Sequence, residues 1–215
     1  MSTRFSLAII VLALLVFSCE KEEQTTPQTN SPTLPEASAY WPMEIGNYWI
    51  YEIFEIDTNG RETPTGRMDS LYISGTETIN GTLYYHFEGD VHLCLPDYLR
   101  DSSGYLTSSY GNVLFAPNDF SDTLGVDLQM LNETDTLYVG YSNMEKPSGK
   151  INLKAGSFEA LLCRSKFHIH ASGALLKHRE LLEYRPPGVG VIKKQCASTI
   201  NPITYEGRLV RYSVQ

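Results

Sequence analysis

Tyr40-Trp41-Pro42-Met43-Glu44-Ile45-Gly46-Asn47-Tyr48-Trp49-Ile50-Tyr51 opens on a proline-led turn, then runs into aromatic and β-branched residues. That composition suits a half-buried strand. Alternation returns downstream in short runs. Asn80-Gly81 stands between residues 71–79 and 82–87, and because a tight hairpin needs positive φ at both turn positions, this pair predicts a two-residue turn. Asp101-Ser102-Ser103-Gly104 separates 97–100 from 105–110, and Gly111-Asn112 precedes Val113-Leu114-Phe115, giving further strand and turn units. Later strands are expected at 136–141, 151–154, 158–170, 190–194 and 207–214. Residues 174–184 are ambiguous, since Leu175, Leu176, Leu181 and Leu182 fit a helix face as well as an imperfect strand. The fold class is mainly β: a single antiparallel, strongly curved sheet, half-barrel or sandwich-like, with at most one or two short helices.

Upstream of this domain the composition changes twice. Residues 20–39 are Glu, Gln, Thr, Pro, Asn and Ser with almost no large apolar side chain, too little apolar surface to offset the entropy of ordering. Pro27, Pro32 and Pro35 favour an extended stalk. Before it, Arg4 is followed by an eleven-residue apolar run, 7–17, too short to span a bilayer and suited to a signal-peptide core. The run ends in Leu15-Val16-Phe17-Ser18-Cys19, which resembles the lipoprotein box of bacteria. That resemblance implies a diacylglycerol on the Cys19 thiol and an acylated amino group after cleavage. Phe17 is bulkier than the usual residue there. At about 0.8 kcal/mol per buried methylene, such an anchor holds firmly. Cys19-Glu20-Lys21-Glu22-Glu23 further resembles the acidic export signal of lipoproteins displayed on the outer membrane surface. The chain is thus read as a signal peptide (1–18), a lipidated cysteine with a flexible stalk (19–39) and a β-rich domain (40–215).

Charge is unevenly spread. The formal net charge is −8, and loss of Arg4 with the signal makes it −9, which argues against nucleic acid as a partner. Residues 19–149 hold 5 basic and 21 acidic side chains, whereas 150–215 hold 11 basic and 4 acidic. Acidic early strands are therefore expected beside basic late ones in one sheet. The alternative is a basic face for lipid phosphates or acidic glycans. Three cysteines remain after Cys19: Cys94, Cys163 and Cys196. An exported chain permits a disulfide, and Cys163 with Cys196 is the expected pair because each lies on a strand-like run in the C-terminal third.

No catalytic constellation is legible, and no cofactor or metal is implied. His168-Ile169-His170 places two imidazoles on one strand face, with His178 as a third candidate zinc ligand. Two ligands without an acidic partner at motif spacing read instead as solvated surface. Gly188-Val189-Gly190 lacks the following helix that a phosphate loop needs and is read as a bend. No Gly-x-Ser-x-Gly elbow occurs. The 14 tyrosines suit half-exposed strands, and Trp41 and Trp49 are expected to seal one end of the sheet. Ser70, Thr123 and Thr136 each follow Asp and precede Leu, a pattern that resembles an O-glycosylation site of exported bacterial proteins and equally describes a turn entering a strand.

The opening 41–51, then Ile79-Asn80-Gly81-Thr82-Leu83-Tyr84-Tyr85, Ala155-Gly156-Ser157-Phe158-Glu159 and Pro187-Gly188-Val189-Gly190-Val191-Ile192-Lys193 occur in that order. Together they resemble a group of bacterial outer-membrane and surface lipoproteins of unassigned activity. The resemblance implies a curved antiparallel half-barrel, similar in outline to lipoprotein carriers and lipid-binding lipoproteins. Leu161-Leu162-Cys163 departs from the more aromatic strand usual there. The function expected is non-enzymatic binding of an apolar or amphiphilic ligand in the sheet's concavity, at the outer membrane. The alternative is a surface accessory module with a filled core, contacting envelope glycans or protein partners.

Overall fold

The computed structural model describes residues 36–89, 94–170, 176–198 and 201–215. The segment read as a signal peptide, Cys19 and most of the segment read as a stalk lie outside the described residues. Packing begins inside the stretch read as stalk: Ala37–Tyr40 forms a short helix, α1, with Ala37 fully buried. The Ser38 amide donates to Asp101 Oδ2 at 2.8 Å, tying this segment to the sheet.

Fourteen strands follow among the described residues: β1 Tyr48–Ile56, β2 Glu62–Ile79, β3 Thr82–Gly89, β4 Tyr98–Ser102, β5 Tyr105–Ser108, β6 Val113–Phe115, β7 Thr123–Met130, β8 Thr136–Glu145, β9 Lys150–Leu153, β10 Gly156–Glu159, β11 Leu161–Ile169, β12 His178–Arg185, β13 Lys193–Ala197 and β14 Thr204–Ser213. Twelve form one sheet in the order β6-β5-β4-β3-β2-β1-β14-β13-β12-β11-β8-β7, and β9 with β10 makes a separate hairpin. Every described pairing in the large sheet is antiparallel. The sheet curves into a nearly closed barrel. Its edges β6 and β7 approach each other, with Val113 O 3.6 Å from where a Cβ on Gly125 would sit. The opening strand β1 lies mid-sheet between β2 and β14.

The expected hairpin turn is present, with φ of 51° at Asn80 and 78° at Gly81. Residues 178–185 resolve as strand rather than helix, because Leu181 and Leu182 occupy opposite faces between β11 and β13. The single strand expected over 158–170 is two, broken at buried Ala160 where the β9–β10 hairpin ends. Regular pairing after the Gly188-Gly190 bend begins only at Lys193, since Val191 and Ile192 are fully buried against the tryptophans' cluster. Asp69-Ser70-Leu71 is not a turn entering a strand; it sits within β2, with Asp69 buried. Acidic and basic segments do meet: Glu52 pairs with Lys154 at 2.7 Å, Glu62 with Arg208 at 2.6 Å, and Glu145 with Arg164.

Half of the barrel is filled. Trp49, Tyr51 and Ile53 of β1 alternate inward toward Leu71 and Ile73 of β2, Phe87 of β3, Leu99 of β4, Leu106 of β5 and Leu209 of β14. Trp41 packs on Phe87 and, edge-on, on Trp49, with centroids at 4.7 and 6.1 Å. Each such large side chain contributes about 1.5–3 kcal/mol of burial. Gly190 passes beside both indoles at a φ of 96°, where a Cβ would lie 2.9 Å from Trp41 and 3.1 Å from Trp49. Trp49 Nε1 donates to Val189 O at 2.5 Å and the Tyr51 hydroxyl to Val191 O at 2.8 Å. The bend therefore exists to seat the tryptophans.

The expected Cys163–Cys196 bridge is corrected: the disulfide joins Cys94 to Cys196, with Cα atoms 5.7 Å apart. Strand β12 lies between β11, which carries Cys163, and β13, which carries Cys196. Next-but-one strands are about 9–10 Å apart, beyond the reach of a disulfide. Cys94, in the connection from β3 to β4, reaches across the barrel instead, and Cys163 stays a buried free thiol.

Candidate functional site

The other half of the barrel is not filled. β8 and β11 offer small inward residues where the packed half has Trp, Tyr and Ile: Gly140 and Ser142 on β8, Cys163 and Ser165 on β11. The Ser142 and Ser165 hydroxyls satisfy each other at 2.7 Å. Phe167 lies over Gly140, where a Cβ would come within 2.6 Å of its ring. These choices leave a cavity of about 540 Å³, bounded by β6, β7, β8, β11, β12 and β13. That volume falls within the range of about 300–1,000 Å³ usual for small-molecule sites. Its apolar wall includes Leu114, Leu124, Phe167, Ile169 and Leu181.

One part of the wall is charged. Alternation along β12 turns Arg179, Leu181, Glu183 and Arg185 toward the cavity, and Lys194 joins them from β13. Arg185 Nε donates to Glu183 Oε1 at 2.5 Å and Nη2 pairs with the same oxygen, while Lys194 Nζ pairs with Glu183 Oε2. The Arg185 guanidinium lies 4.3 Å from the Trp41 ring centre and 5.0 Å from that of Phe115, a favourable placement for a desolvated cation. Its Nη1 has no hydrogen-bond partner. Burial by itself would raise the Glu183 carboxyl, but the charges and hydrogen bonds of Arg185 and Lys194 prevail and hold it down at about 2. The Cys163 thiol, which donates to Leu114 O at 3.6 Å, is pushed up to about 12 by burial and then by Glu183.

The other ionisable groups of the wall are occupied. Arg179 donates through Nη1 to Ser198 O and Asn201 O, and through Nη2 to Pro202 O, Ile203 O and Thr204 Oγ1. Asp127 accepts from the Tyr138 hydroxyl at 3.1 Å, and Tyr138 is pushed up to about 12, by burial first and Asp127 second.

Of the residues singled out in the sequence, His168 and His178 are cross-strand neighbours with ring centres 4.7 Å apart, both exposed. His170 lies just past the end of β11 and is also exposed. No group of three or more His, Cys, Asp or Glu suited to a metal ion occurs among the described residues. Ser70 and Thr123 are exposed, and Thr136 is half-buried at the start of β8. Along β7, Val126, Leu128, Met130 and the adjoining Leu131 are exposed apolar side chains at one sheet edge. The Glu183-Arg185-Lys194 cluster was missed because His178-Arg179-Glu180-Leu181-Leu182-Glu183-Tyr184-Arg185 carries polar residues on both faces. The register against β11 decides which face is inside.

No family model matches the chain, and no curated protein matches it significantly. Two solved structures are similar. One is a provisionally named lipoprotein of Parabacteroides distasonis ATCC 8503, with 12% identity, a TM-score of 0.38, and coverage of 81% of this chain and 98% of that one. The other is a provisionally named exported protein with a YmcC-like fold from Bacteroides fragilis NCTC 9343, with 11% identity, a TM-score of 0.42, and coverage of 79% and 96%.

Proposed function

We propose that this protein is a lipoprotein, anchored through Cys19 to the outer membrane, that holds an apolar or amphiphilic small molecule inside its curved sheet without acting on it chemically. The observation that carries the reading is the asymmetric barrel, one half packed with Trp49, Tyr51, Ile53, Leu71 and Ile73 and the other holding a cavity of about 540 Å³ walled by Phe167, Ile169 and Leu181. A preformed concave site lined by apolar side chains with a few convergent polar groups is the usual form of a small-molecule site. The test is native mass spectrometry of the full chain carrying Cys19→Ser, purified without detergent from a Gram-negative host. A stoichiometric adduct, released by denaturation and identified as a lipid or other amphiphile, supports the reading. A bare mass that persists after challenge with mixed envelope lipids contradicts it.

A second reading rests on β7. Its apolar Val126, Leu128 and Met130, with the adjoining Leu131, are exposed at the sheet edge, a feature of interaction surfaces. In that reading the module contacts a protein partner or envelope glycan, and Leu128→Asp would abolish the contact while leaving cavity binding unchanged.

A further inference from the structure

We infer that the occupant of the cavity is an anion at one end, a carboxylate or phosphate monoester attached to an apolar chain, with its headgroup taken by Lys194 and Arg185. This inference rests on the proposed binding function and adds the ligand's charge to it. Side-chain exposure is 1% for Arg185, 9% for Glu183 and 16% for Lys194. Glu183 is the carboxylate shared by both cations, which leaves the trio with a formal charge of +1. An uncompensated charge in such a setting is strongly unfavourable. The remaining charged groups on the wall do not cancel it: Asp127 is across the cavity on β7, engaged by Tyr138, and Arg179 is a further cation committed to carbonyls. Arg185 Nη1 is a buried donor without a hydrogen-bond partner. Lys194 brings three donor protons and, among the described residues, pairs with Glu183 alone. Spare donors and spare positive charge therefore coincide, in a chain whose net charge is −8.

The apolar wall lies along the same strands. Arg185 and Ile169 are at opposite ends of the β11–β12 pair, Leu161 facing Arg185 and His168 facing His178 in register. Seven residues along β12 span roughly 20 Å, so a headgroup at Arg185 and Lys194 leaves Leu181, Phe167 and Ile169 to receive a chain. Neutral chains would fill the same apolar space but leave the charge unmet.

The test is isothermal titration calorimetry of the full chain carrying Cys19→Ser, delipidated, with decanoate, decyl phosphate and decanol as probes. Charge-assisted hydrogen bonds predict that one or both anions bind about 10-fold to 100-fold more tightly than decanol. Which anion leads identifies a carboxylate or a phosphate source. Lys194→Gln, which leaves Glu183 and Arg185 as a neutral pair, is expected to bring the anions to within about threefold of decanol. Equal binding of all three probes to the unaltered cavity would overturn the inference and leave the binding function standing. Binding of none would overturn both.

Discussion

Substituting Gly190 by Ala tests the packed end of the barrel. The residue has a φ of 96°, and a Cβ there would lie 2.9 Å from Trp41 Cδ1 and 3.1 Å from Nε1 of both Trp41 and Trp49. Neither indole can retreat: both are fully buried, Trp41 against Phe87 and Arg185, and Trp49 held by its bond to Val189 O. Positive φ costs a residue with a Cβ about 1–2 kcal/mol, and overpacking a filled core adds about 1–3 kcal/mol. The expected destabilisation of Gly190→Ala is thus about 2–5 kcal/mol. At about 2–4 °C per kcal/mol for a chain of this size, Tm falls by roughly 4–20 °C. Gly188→Ala supplies the control. It lies two residues away at a φ of 73° with nothing within 4 Å of its Cβ position, so only the backbone term of about 1–2 kcal/mol applies. Differential scanning calorimetry and urea titration of both variants measure the difference. Equal destabilisation would refute the claim that the bend exists to seat the tryptophans.

Other consequences follow from the staple and the buried charges. Cys94→Ser with Cys196→Ser should lower stability by about 2–5 kcal/mol, the upper end set by the 102-residue separation of the two cysteines. Cys163→Ser should leave the disulfide intact by mass after alkylation, and loss of the bridge in that variant would refute the pairing. Glu183 is held at about 2, against 4.5 for its ordinary value. A depressed carboxylate contributes stability that is complete above the unfolded value and lost as pH falls, so urea midpoints should decline from about pH 4.5 toward pH 2. Glu183→Gln should flatten that decline while destabilising the protein at pH 7, and an unchanged acid limb would contradict the assignment. The Cys163 thiol, pushed up to about 12 and buried, should react with iodoacetamide at pH 8 only on unfolding, at least 100-fold more slowly in the native chain than a free thiol. Rapid native alkylation would contradict its burial.

The legible part of this fold is local. Asn80-Gly81 announces its hairpin because few residue pairs accept two positive φ angles in succession, and the aromatic alternation of 48–53 survives as the inward Trp49, Tyr51 and Ile53. What could not be read depends on which strands become neighbours. The Cys163–Cys196 expectation fails because β12 intervenes, a fact of sheet order rather than of composition. Strand β7 received no bounds beyond the turn at Asp122-Thr123-Leu124, because Thr123-Leu124-Gly125-Val126-Asp127-Leu128-Gln129-Met130 mixes Gly and Asp into its alternation and lies at a sheet edge. The cavity is subtler still. Gly140, Ser142, Ser165 and Phe167 lie on two strands, and only the β8–β11 register, Gly140 opposite Phe167 and Ser142 opposite Ser165, reveals that the small residues share one place.

The most direct test of the account is to fill that place. Ser165→Phe puts a ring where the Ser142–Ser165 pair now leaves room, and calorimetric titration with decanoate compares it with the unaltered wall. The account predicts at least a 10-fold loss of affinity with an unchanged fold by circular dichroism, because the ring occupies the volume the ligand needs. Undiminished binding in a folded Ser165→Phe chain would place the ligand elsewhere and contradict the central claim.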